Sequence, residues 1–242
     1  MSEATSGDLW AEFWSGQHSI YVNARHAQVH YERLSRDLTA LLASRTRPCV
    51  LDWGCGDALN APSVAAACGE LLLYDAVAAV QLRLQRRFGG TQGIRVLDDG
   101  GWAALPDHSV DVVVLNSVAQ YLSRAELDRR LDDFRRIVRV DGEVIIADII
   151  PPTAGMLPDV LSLLGTGLRH GFFLAASGGL ARTFFSEYRK LRARAGFSTY
   201  AEREFLDLLA AHGFAAKRLA ANLGFNQQRM TFRARPRAHP AA

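Results

Sequence analysis

The spacing of hydrophobic and polar positions changes several times along the chain. Short apolar runs alternate with longer segments in which apolar residues recur at helical spacing. The apolar runs predict a strand from Val50 and further strands over 71–75, 94–97, 110–116, 143–149, 214–222 and 228–234. The helical spacing predicts helices over 21–42, 78–87, 124–138 and 202–211. Because strands and helices alternate before a final pair of strands, the pattern predicts an α/β fold.

The segment 50–57, V-L-D-W-G-C-G-D, couples a short buried strand to a tight glycine turn. Gly54 and Gly56 let the backbone turn sharply, with no Cβ in the way of a ligand. A helix can begin soon afterwards, since Pro62 suits a first turn. Strand, glycine turn and helix form the first half of a nucleotide-binding βαβ unit, whose ligand lies beyond the carboxyl end of the strand.

The residues around this turn discriminate between nucleotides. A dinucleotide site has a third glycine for close helix packing, but that position is Leu59, which weakens an NAD-linked oxidoreductase. Asp52 stands two residues before Gly54. Its carboxylate repels a pyrophosphate and attracts an ammonium or sulfonium group.

The same eight residues resemble the first motif of class I S-adenosylmethionine (SAM)-dependent methyltransferases, V-L-D-x-G-C-G. The resemblance covers 50–152 and 201–236, and is greatest to small-molecule enzymes of the type 11 and quinone-biosynthesis kind. It implies a Rossmann-like seven-stranded sheet, mostly parallel with an antiparallel last strand. It also implies SAM as cofactor, S-adenosylhomocysteine (SAH) as product and a small-molecule methyl acceptor.

Candidate cofactor residues follow from this resemblance. An acid at the end of the second strand can accept both ribose hydroxyls, and Asp75 stands there, followed by Ala76. Asn116 and Ser117 end the fourth strand, beside the expected methyl group. Tyr21 and Arg25 of the leading helix could reach the methionine carboxylate, or they are packing and surface residues.

The segment that is expected to lie near the adenine departs from the sequence motif of the family. The family often has G-D-x-x-x-L-P, but counting back from Leu105 puts Gly101 in the place of the acid. Asp99, next to Gly100, substitutes for it if the loop bulges by two residues. Trp102 either covers the adenine face or packs beneath it.

The acceptor is less well defined. Neither [DN]-P-P-[YF] nor a Pro-Cys nucleophile follows the fourth strand, which argues against base, glutamine and cytosine methylation. The candidates for a general base are His18, His26, His30, Tyr121 and Tyr188, and none stands out. Asp148 either faces the acceptor or is a salt-bridged acid at the core edge, and we adopt the second interpretation. No metal site is predicted, because the His26–His30 pair lacks further ligands.

One domain spans 1–242, with an N-terminal helical cap at 1–45 and a helical lid insertion at 154–200. The insertion is apolar in its first half and rich in arginine in its second. A lid of this composition predicts an acceptor with an apolar body, and its arginines can meet an anionic group on that acceptor. The alternatives are a solvated helical subdomain and a helix lying on a membrane surface.

Composition adds limits on location and partners. The net charge of +3 does not by itself argue for nucleic acid, and the three cysteines form no C-x-x-C pair, which fits a reduced cytoplasmic setting. Abundant arginine and alanine suggest a GC-rich bacterial genome. We expect a monomer or homodimer without nucleic acid, and at most peripheral membrane contact. The rival from another class is a non-catalytic, regulatory protein that binds SAM or SAH.

Overall fold

The structure, a computed structural model, describes Tyr21 and residues 23–153, 168 and 196–237. Its helices, in chain order, are α1 (Ala24–Leu42), α2 (Ala61–Ala65), α3 (Ala78–Phe88), α4 (Asp99–Ala103), α5 (Arg124–Ile137) and α6 (Glu202–Ala211). Its strands are β1 (Cys49–Trp53), β2 (Glu70–Tyr74), β3 (Ile94–Val96), β4 (Val110–Asn116), β5 (Val138–Ile149), β6 (Phe214–Arg218) and β7 (Met230–Pro236).

The seven strands form one sheet in the order β3-β2-β1-β4-β5-β7-β6. All neighbours pair in parallel up to β5, whereas β7 runs antiparallel to both β5 and β6. The predicted α/β fold, with its mostly parallel seven-stranded sheet and antiparallel last strand, is confirmed. The strand order reverses between β1 and β4, and a ligand in such a sheet binds at the carboxyl ends there.

Helices cover both faces of the sheet, as a parallel sheet requires. On one face α1, α2 and α3 bury apolar side chains such as Leu38, Val64 and Leu84 against β1 and β2. On the other, α4, α5 and α6 bury Trp102, Phe134 and Phe205. The central strands are apolar on both faces, which explains their continuous hydrophobic runs.

Local signals in the sequence set two helix starts. Ser123 and Glu126 form the expected capping box at α5, since the Glu126 amide donates to the Ser123 hydroxyl at 3.3 Å and the Ser123 amide to the Glu126 carboxylate at 2.7 Å. Helix α1 begins at Ala24, three residues later than predicted, because the Asn23 side chain accepts from the His26 amide at 2.8 Å.

The last three strands differ from the predicted bounds. Strand β5 already begins at Val138, and Asp141 and Gly142 lie in a register shift within it instead of in a turn before it. A Cβ on Gly142 would lie 2.8 Å from the Asp111 carbonyl oxygen, so this bulge needs a glycine. Strand β6 ends at Arg218, because the chain then leaves the ladder to form the hydrogen-bonded loop around Asn222.

Two predicted segments lie mostly outside the described residues. These are the first part of the N-terminal cap, 1–20, and the insertion at 154–195 apart from residue 168. None of the described helices is both long and apolar enough to cross a membrane.

One buried carboxylate joins distant parts of the chain at the amino-terminal edge of the sheet. Glu143 is 3% exposed and lies 3.7 Å from Arg45, 3.5 Å from Arg233 and 3.3 Å from Arg235. These arginines come from the segment after α1 and from β7. Glu143 therefore ties the first helix and the last strand to β5, and its removal leaves three cations without their counterion.

We expect Glu143→Gln to lower the free energy of unfolding by about 3 kcal/mol, because partly buried arginines lose their common partner. Urea unfolding followed by circular dichroism measures this change. Glu202→Gln is the matched control, because the Glu202–Arg218 pair is exposed at 47% and 41%, and it should cost less than about 1 kcal/mol. Equal losses in the two variants would contradict this role for Glu143.

Candidate functional site

The glycine turn after β1 is held against β2 by its own backbone. The amides of Gly54 and Cys55 both donate to the carbonyl oxygen of Tyr74, at 2.8 and 3.2 Å. Gly54 and Gly56 have φ angles of +77° and +57°, which side chains rarely adopt. The turn thus lies at the carboxyl ends of β1 and β2, where the sequence predicted it.

Asp75, directly after β2, bonds to the backbone on both sides of this corner. Its Oδ2 accepts from the Gly56 amide at 3.0 Å, and its Oδ1 accepts from the Val77 amide at 3.0 Å. Burial raises the pKa of this carboxyl, while both amide bonds oppose that rise. Each oxygen keeps a further lone pair, so Asp75 can still accept two hydroxyl groups.

Asp52 lies next to Asp75, one residue before the carboxyl end of β1. Burial, and then the charge of Asp75, raise the pKa of Asp52 to about 7, and no described residue offsets this with a hydrogen bond or a positive charge. A cavity of about 30 Å³ between α1, α2 and the strands is lined by Asp52, Tyr31 and Asn60 among others, and has room for a water molecule. Two neighbouring, partly buried carboxylates make this corner attractive to a cation.

Tyr31 of α1 belongs to this corner, although the sequence analysis did not identify it as a site residue. Its hydroxyl accepts from the Asp57 amide at 3.1 Å and lies 3.1 Å from where a Cβ on Gly56 would be. The contact joins residues 26 positions apart, and nothing in the helical spacing indicates it. Tyr31 therefore fixes the glycine turn from the helix side.

An aromatic cluster surrounds Tyr31. The Tyr21 ring lies 5.3 Å from both His26 and His30 and 5.8 Å from Tyr31. Burial and the neighbouring His26 lower the pKa of His30 to about 4, and burial also lowers that of His26. Both histidines are thus neutral near pH 7 and place no positive charge beside the acids.

The other predicted residues of the leading segment differ in position. Arg25 is exposed on the first turn of α1. His18 and Tyr188 lie outside the described residues. The roles of Tyr21, Arg25, His26 and His30 remain predictions.

Two arginines of α3 hold the turn from the opposite side. Arg83 pairs with the Asp57 carboxylate at 3.1 Å, and Arg87 donates to the Asp57 carbonyl oxygen at 2.5 Å. In the sequence, both arginines look like ordinary residues of a solvated helix face. Asp57 is consequently bonded to α1 through its amide, and to α3 through its carboxylate and carbonyl oxygens.

The segment after β3 brings a second acid toward β2. Asp98 caps α4 by accepting from the Gly101 amide at 2.7 Å, which leaves Asp99 as the acid that turns to β2. Asp99 accepts from the Tyr74 hydroxyl at 3.0 Å and from Gln81 at 2.9 Å. Gln81 also donates to the Asp75 carbonyl oxygen at 2.8 Å, a link that sequence reasoning missed.

Three further candidates on this side are now located. Ala76 and Gly100 are exposed beside the two acids. Trp102 is buried and stacks on Tyr74 at 5.4 Å between ring centroids. The indole packs among core aromatic residues, which favours the predicted packing beneath the adenine face, and the role of Trp102 remains a prediction.

The carboxyl ends of β4 and β5 form the next part of the edge. Asn116 and Ser117 follow the apolar run of β4, and the Ser117 hydroxyl donates to the Asp148 carboxylate of β5 at 2.9 Å. Asp148 therefore belongs to this edge, and its amide donates to Asn222 at 3.1 Å. Tyr121, in the 3-10 turn after β4, lies with its ring 5.6 Å from Phe197.

Cys55 in the glycine turn is not a nucleophile. Burial, with the charges of Asp52 and Asp75, raises the pKa of its thiol well above the ordinary value. The reactive thiolate is therefore disfavoured here.

Comparison with known proteins agrees with this geometry. Residues 51–146 match the sequence model of a methyltransferase domain family. This match covers less than half of the chain, so it shows a similarity to that family. SAM is the cofactor of this family, so the predicted resemblance and the expected cofactor are confirmed at that level. No curated protein matches the chain in sequence.

Several solved structures share the fold of this protein. Magnesium protoporphyrin IX methyltransferase (ChlM) from Synechocystis PCC 6803, with bound SAM, is 14% identical with a TM-score of 0.54, and the match covers 96% of this chain and 92% of that one. The DhpI–SAH complex is 14% identical with a TM-score of 0.58, over 98% and 100%. YcgJ from Bacillus subtilis is 17% identical with a TM-score of 0.52, over 76% and 70%. At such identities the likeness shows the fold.

Gly54 allows a test of the turn. Its φ is +77°, and an added Cβ would lie 2.5 Å from a methyl group of Val118. We expect Gly54→Ala to weaken SAH binding at least about tenfold, since the turn must move away from Val118. Isothermal titration calorimetry measures the affinity.

Gly90→Ala is the matched control, because Gly90 has a φ of +82° but nothing within 4 Å of an added Cβ. It carries the backbone strain alone, so its SAH affinity should stay within about twofold of the parent. If both variants bind SAH like the parent protein, the glycine turn does not touch the cofactor.

Proposed function

We propose that this methyltransferase transfers the methyl group of SAM to a small-molecule acceptor with an apolar body. The observation that carries the proposal is the acidic pair, Asp52 and Asp75, at the glycine turn of β1. A partly buried pair of carboxylates suits a ligand that offers both a cationic group and two hydroxyl groups. SAM is such a ligand, whereas the pyrophosphate of NAD would be repelled.

The proposed orientation of the cofactor follows the order of the strands. Asp75 accepts the ribose hydroxyls, and the adenine lies toward Asp99, Gly100 and Ala76. Gly54 and Gly56 let the backbone approach the methionine part. Asp52 lies nearest to its positive charge, and the methyl group points past Asn116 toward β5.

The chain contributes alignment and electrostatics to the reaction. SAM supplies the activated methyl group, and the acceptor must attack it in line with the breaking bond. A turn that is held by Tyr31, Asp75 and Arg87 fixes the cofactor side of that geometry before the ligand arrives. Such alignment can contribute several kcal/mol to lowering the barrier.

The proposal for the acceptor rests on fewer residues than the proposal for the cofactor. The insertion at 154–200 leaves the sheet after β5, at the carboxyl edge, and we propose that it covers the acceptor. Its apolar first half is the basis for an acceptor with an apolar body.

A non-catalytic protein that binds SAM or SAH is the second candidate, since a binding site alone needs the same acids. Turnover separates the two. We expect calorimetry to find binding of SAM and SAH but not NAD, and tritiated SAM with an extract of small metabolites to yield a labelled product. Binding without any labelled product would favour the regulatory alternative.

Asp75→Ala should weaken SAH binding by at least about tenfold, since charge-assisted hydrogen bonds to the ribose contribute about 1.5–3 kcal/mol each. The control is Asp107→Ala, which removes an exposed carboxylate that pairs with Arg136 at 2.7 Å. Circular dichroism checks that both variants fold. Unchanged affinity in folded Asp75→Ala would remove this residue from the site.

The pKa of Asp52, about 7, predicts a pH dependence of binding. A carboxyl group ionises as the pH rises, and a cationic ligand favours the ionised form. Between pH 6 and pH 8 the ionised fraction rises from about 0.1 to about 0.9, so SAM affinity should rise up to about tenfold and then level off.

Calorimetry over this range tests the effect, with Asp52→Asn as the variant that removes the titrating group. In that variant the rise should disappear. SAH, which lacks the sulfonium charge, should show a weaker rise than SAM in the parent protein. A pH profile that is identical in the parent and in Asp52→Asn would contradict the assignment.

A further inference from the structure

Two residues with unusual backbone conformations lie side by side at the carboxyl ends of β4 and β5. Ser117 has a φ of +58° and Asp148 a φ of +64°, and neither is a glycine. Such conformations are unfavourable and persist where the surroundings hold them, often at functional sites. Here the strain lies at the edge of the sheet that binds ligands.

Hydrogen bonds hold this pair in place from both sides. The Ser117 amide donates to the Ala147 carbonyl oxygen at 3.2 Å, and the Asp148 amide donates to the Asn222 side chain at 3.1 Å. Asn222 is 5% exposed and also accepts from the hydroxyl of buried Thr231 at 2.7 Å. The Asp148 carboxylate is thus positioned by a buried network.

The direction of the hydrogen bonds follows from simple valence. A carboxylate can only accept, so the single Ser117 proton points to Asp148 at 2.9 Å. The Ser117 oxygen then accepts from the Asn116 amide nitrogen at 3.2 Å. This arrangement assigns the orientation of the Asn116 amide by its hydrogen bonds.

The same orientation leaves one atom without a partner. Asn116 Oδ1 is buried and accepts no hydrogen bond from any described residue, which is unfavourable for a buried acceptor. Gln120 Oε1, on the turn after β4, is in the same condition. Two unsatisfied acceptors therefore add to the unfavourable features of this edge.

The strand order separates this edge from the proposed ribose site. From Asp75 the order runs β2, β1, β4, β5, so Asp148 lies three strands away, about 14 Å at normal strand spacing. The proposed methyl position lies between them, above β1 and β4. A donor group on the methyl acceptor would therefore lie toward the β4–β5 edge, where Asp148 is placed.

We propose that Asp148, positioned by Ser117, binds the acceptor through an O–H or N–H group and takes its proton during methyl transfer. The inference rests on the proposed function. A thiol is a weak hydrogen-bond donor, and a C–H group is weaker still, so neither would pair well with the Asp148 carboxylate. The site therefore favours an alcohol, a phenol or an amine.

The proposed step balances. The acceptor lone pair forms a bond to the methyl carbon, and the carbon–sulfur bond breaks with its electron pair going to sulfur. The acceptor proton moves to the Asp148 carboxylate. The sulfonium and the carboxylate become a neutral thioether and a neutral carboxylic acid, and the acid later releases its proton to water.

The experiment uses phenol, aniline and thiophenol, which share one apolar ring and differ in the nucleophile. Calorimetry with SAH comes first, because absent SAH binding is a failure of the proposed function and not of this inference. Transfer from tritiated SAM should favour phenol or aniline over thiophenol. Transfer to thiophenol alone, or to none of the three, would overturn the inference.

Asp148→Asn is the decisive variant, because asparagine tolerates a positive φ and keeps the shape of the side chain. Its kcat/KM with phenol, or with aniline if that is the substrate, should fall about 100-fold, within the usual range for loss of a proton acceptor, while SAH affinity stays within about twofold. With 4-nitrophenol, which is largely ionised near neutral pH, the loss should be much smaller. A structural role would lower both phenols equally.

Asp111→Asn is the matched control, since Asp111 lies at the opposite end of β4 and accepts from the Cys49 amide at 2.7 Å. It removes a carboxylate from the same strand without touching the methyl edge, so kcat/KM should change less than about threefold. Unchanged phenol transfer in Asp148→Asn, or an equal loss in Asp111→Asn, would overturn the role of Asp148.

Discussion

The repulsion between Asp52 and Asp75, two carboxylates at the ends of neighbouring strands, is the constraint around which the cofactor site is built. Asp75 is compensated by two backbone amides, whereas the described residues give Asp52 no such compensation. The free protein therefore carries a carboxyl group that is only about half ionised at pH 7. A cationic ligand would relieve this cost, so the destabilised acid is itself a source of affinity.

The contacts around the turn show how the fold supports such a site. Helix α1 holds it through Tyr31, helix α3 through Arg83 and Arg87, and Gln81 connects the two acids of the β2 and β3 ends. A site that is held by rigid elements loses little freedom when a ligand binds. The ligand-binding corner is accordingly shaped by residues that need not touch the ligand.

The carboxyl ends of β4 and β5 also contain features that lower the stability of the chain and lie where we propose that the acceptor binds. Strained conformations at Ser117 and Asp148 and the unpartnered oxygen of Asn116 all cost free energy in the isolated chain. The buried network around Asn222 and Thr231 compensates part of this cost. The apolar core on both faces of the sheet supplies the remaining stability.

The sequence by itself determined the order of the elements, the glycine turn, the acids at the strand ends and the capping box of α5. These features depend on periodicity and on contacts between near neighbours, which a linear reading captures. The carboxyl ends of parallel strands meet at one edge, so Asp52, Asp75, Asn116 and Ser117 could also be grouped in advance.

Tertiary structure alone decided which side chains meet across long separations. Tyr31 with Asp57, and Asp148 with Asn222, are 26 and 74 positions apart, and no local pattern records these pairs. The burial of Trp102 and the early start of β5 also depended on packing against partners from elsewhere in the chain. A side chain's neighbours in space set its charge state and orientation, and those neighbours exist only once the chain has folded.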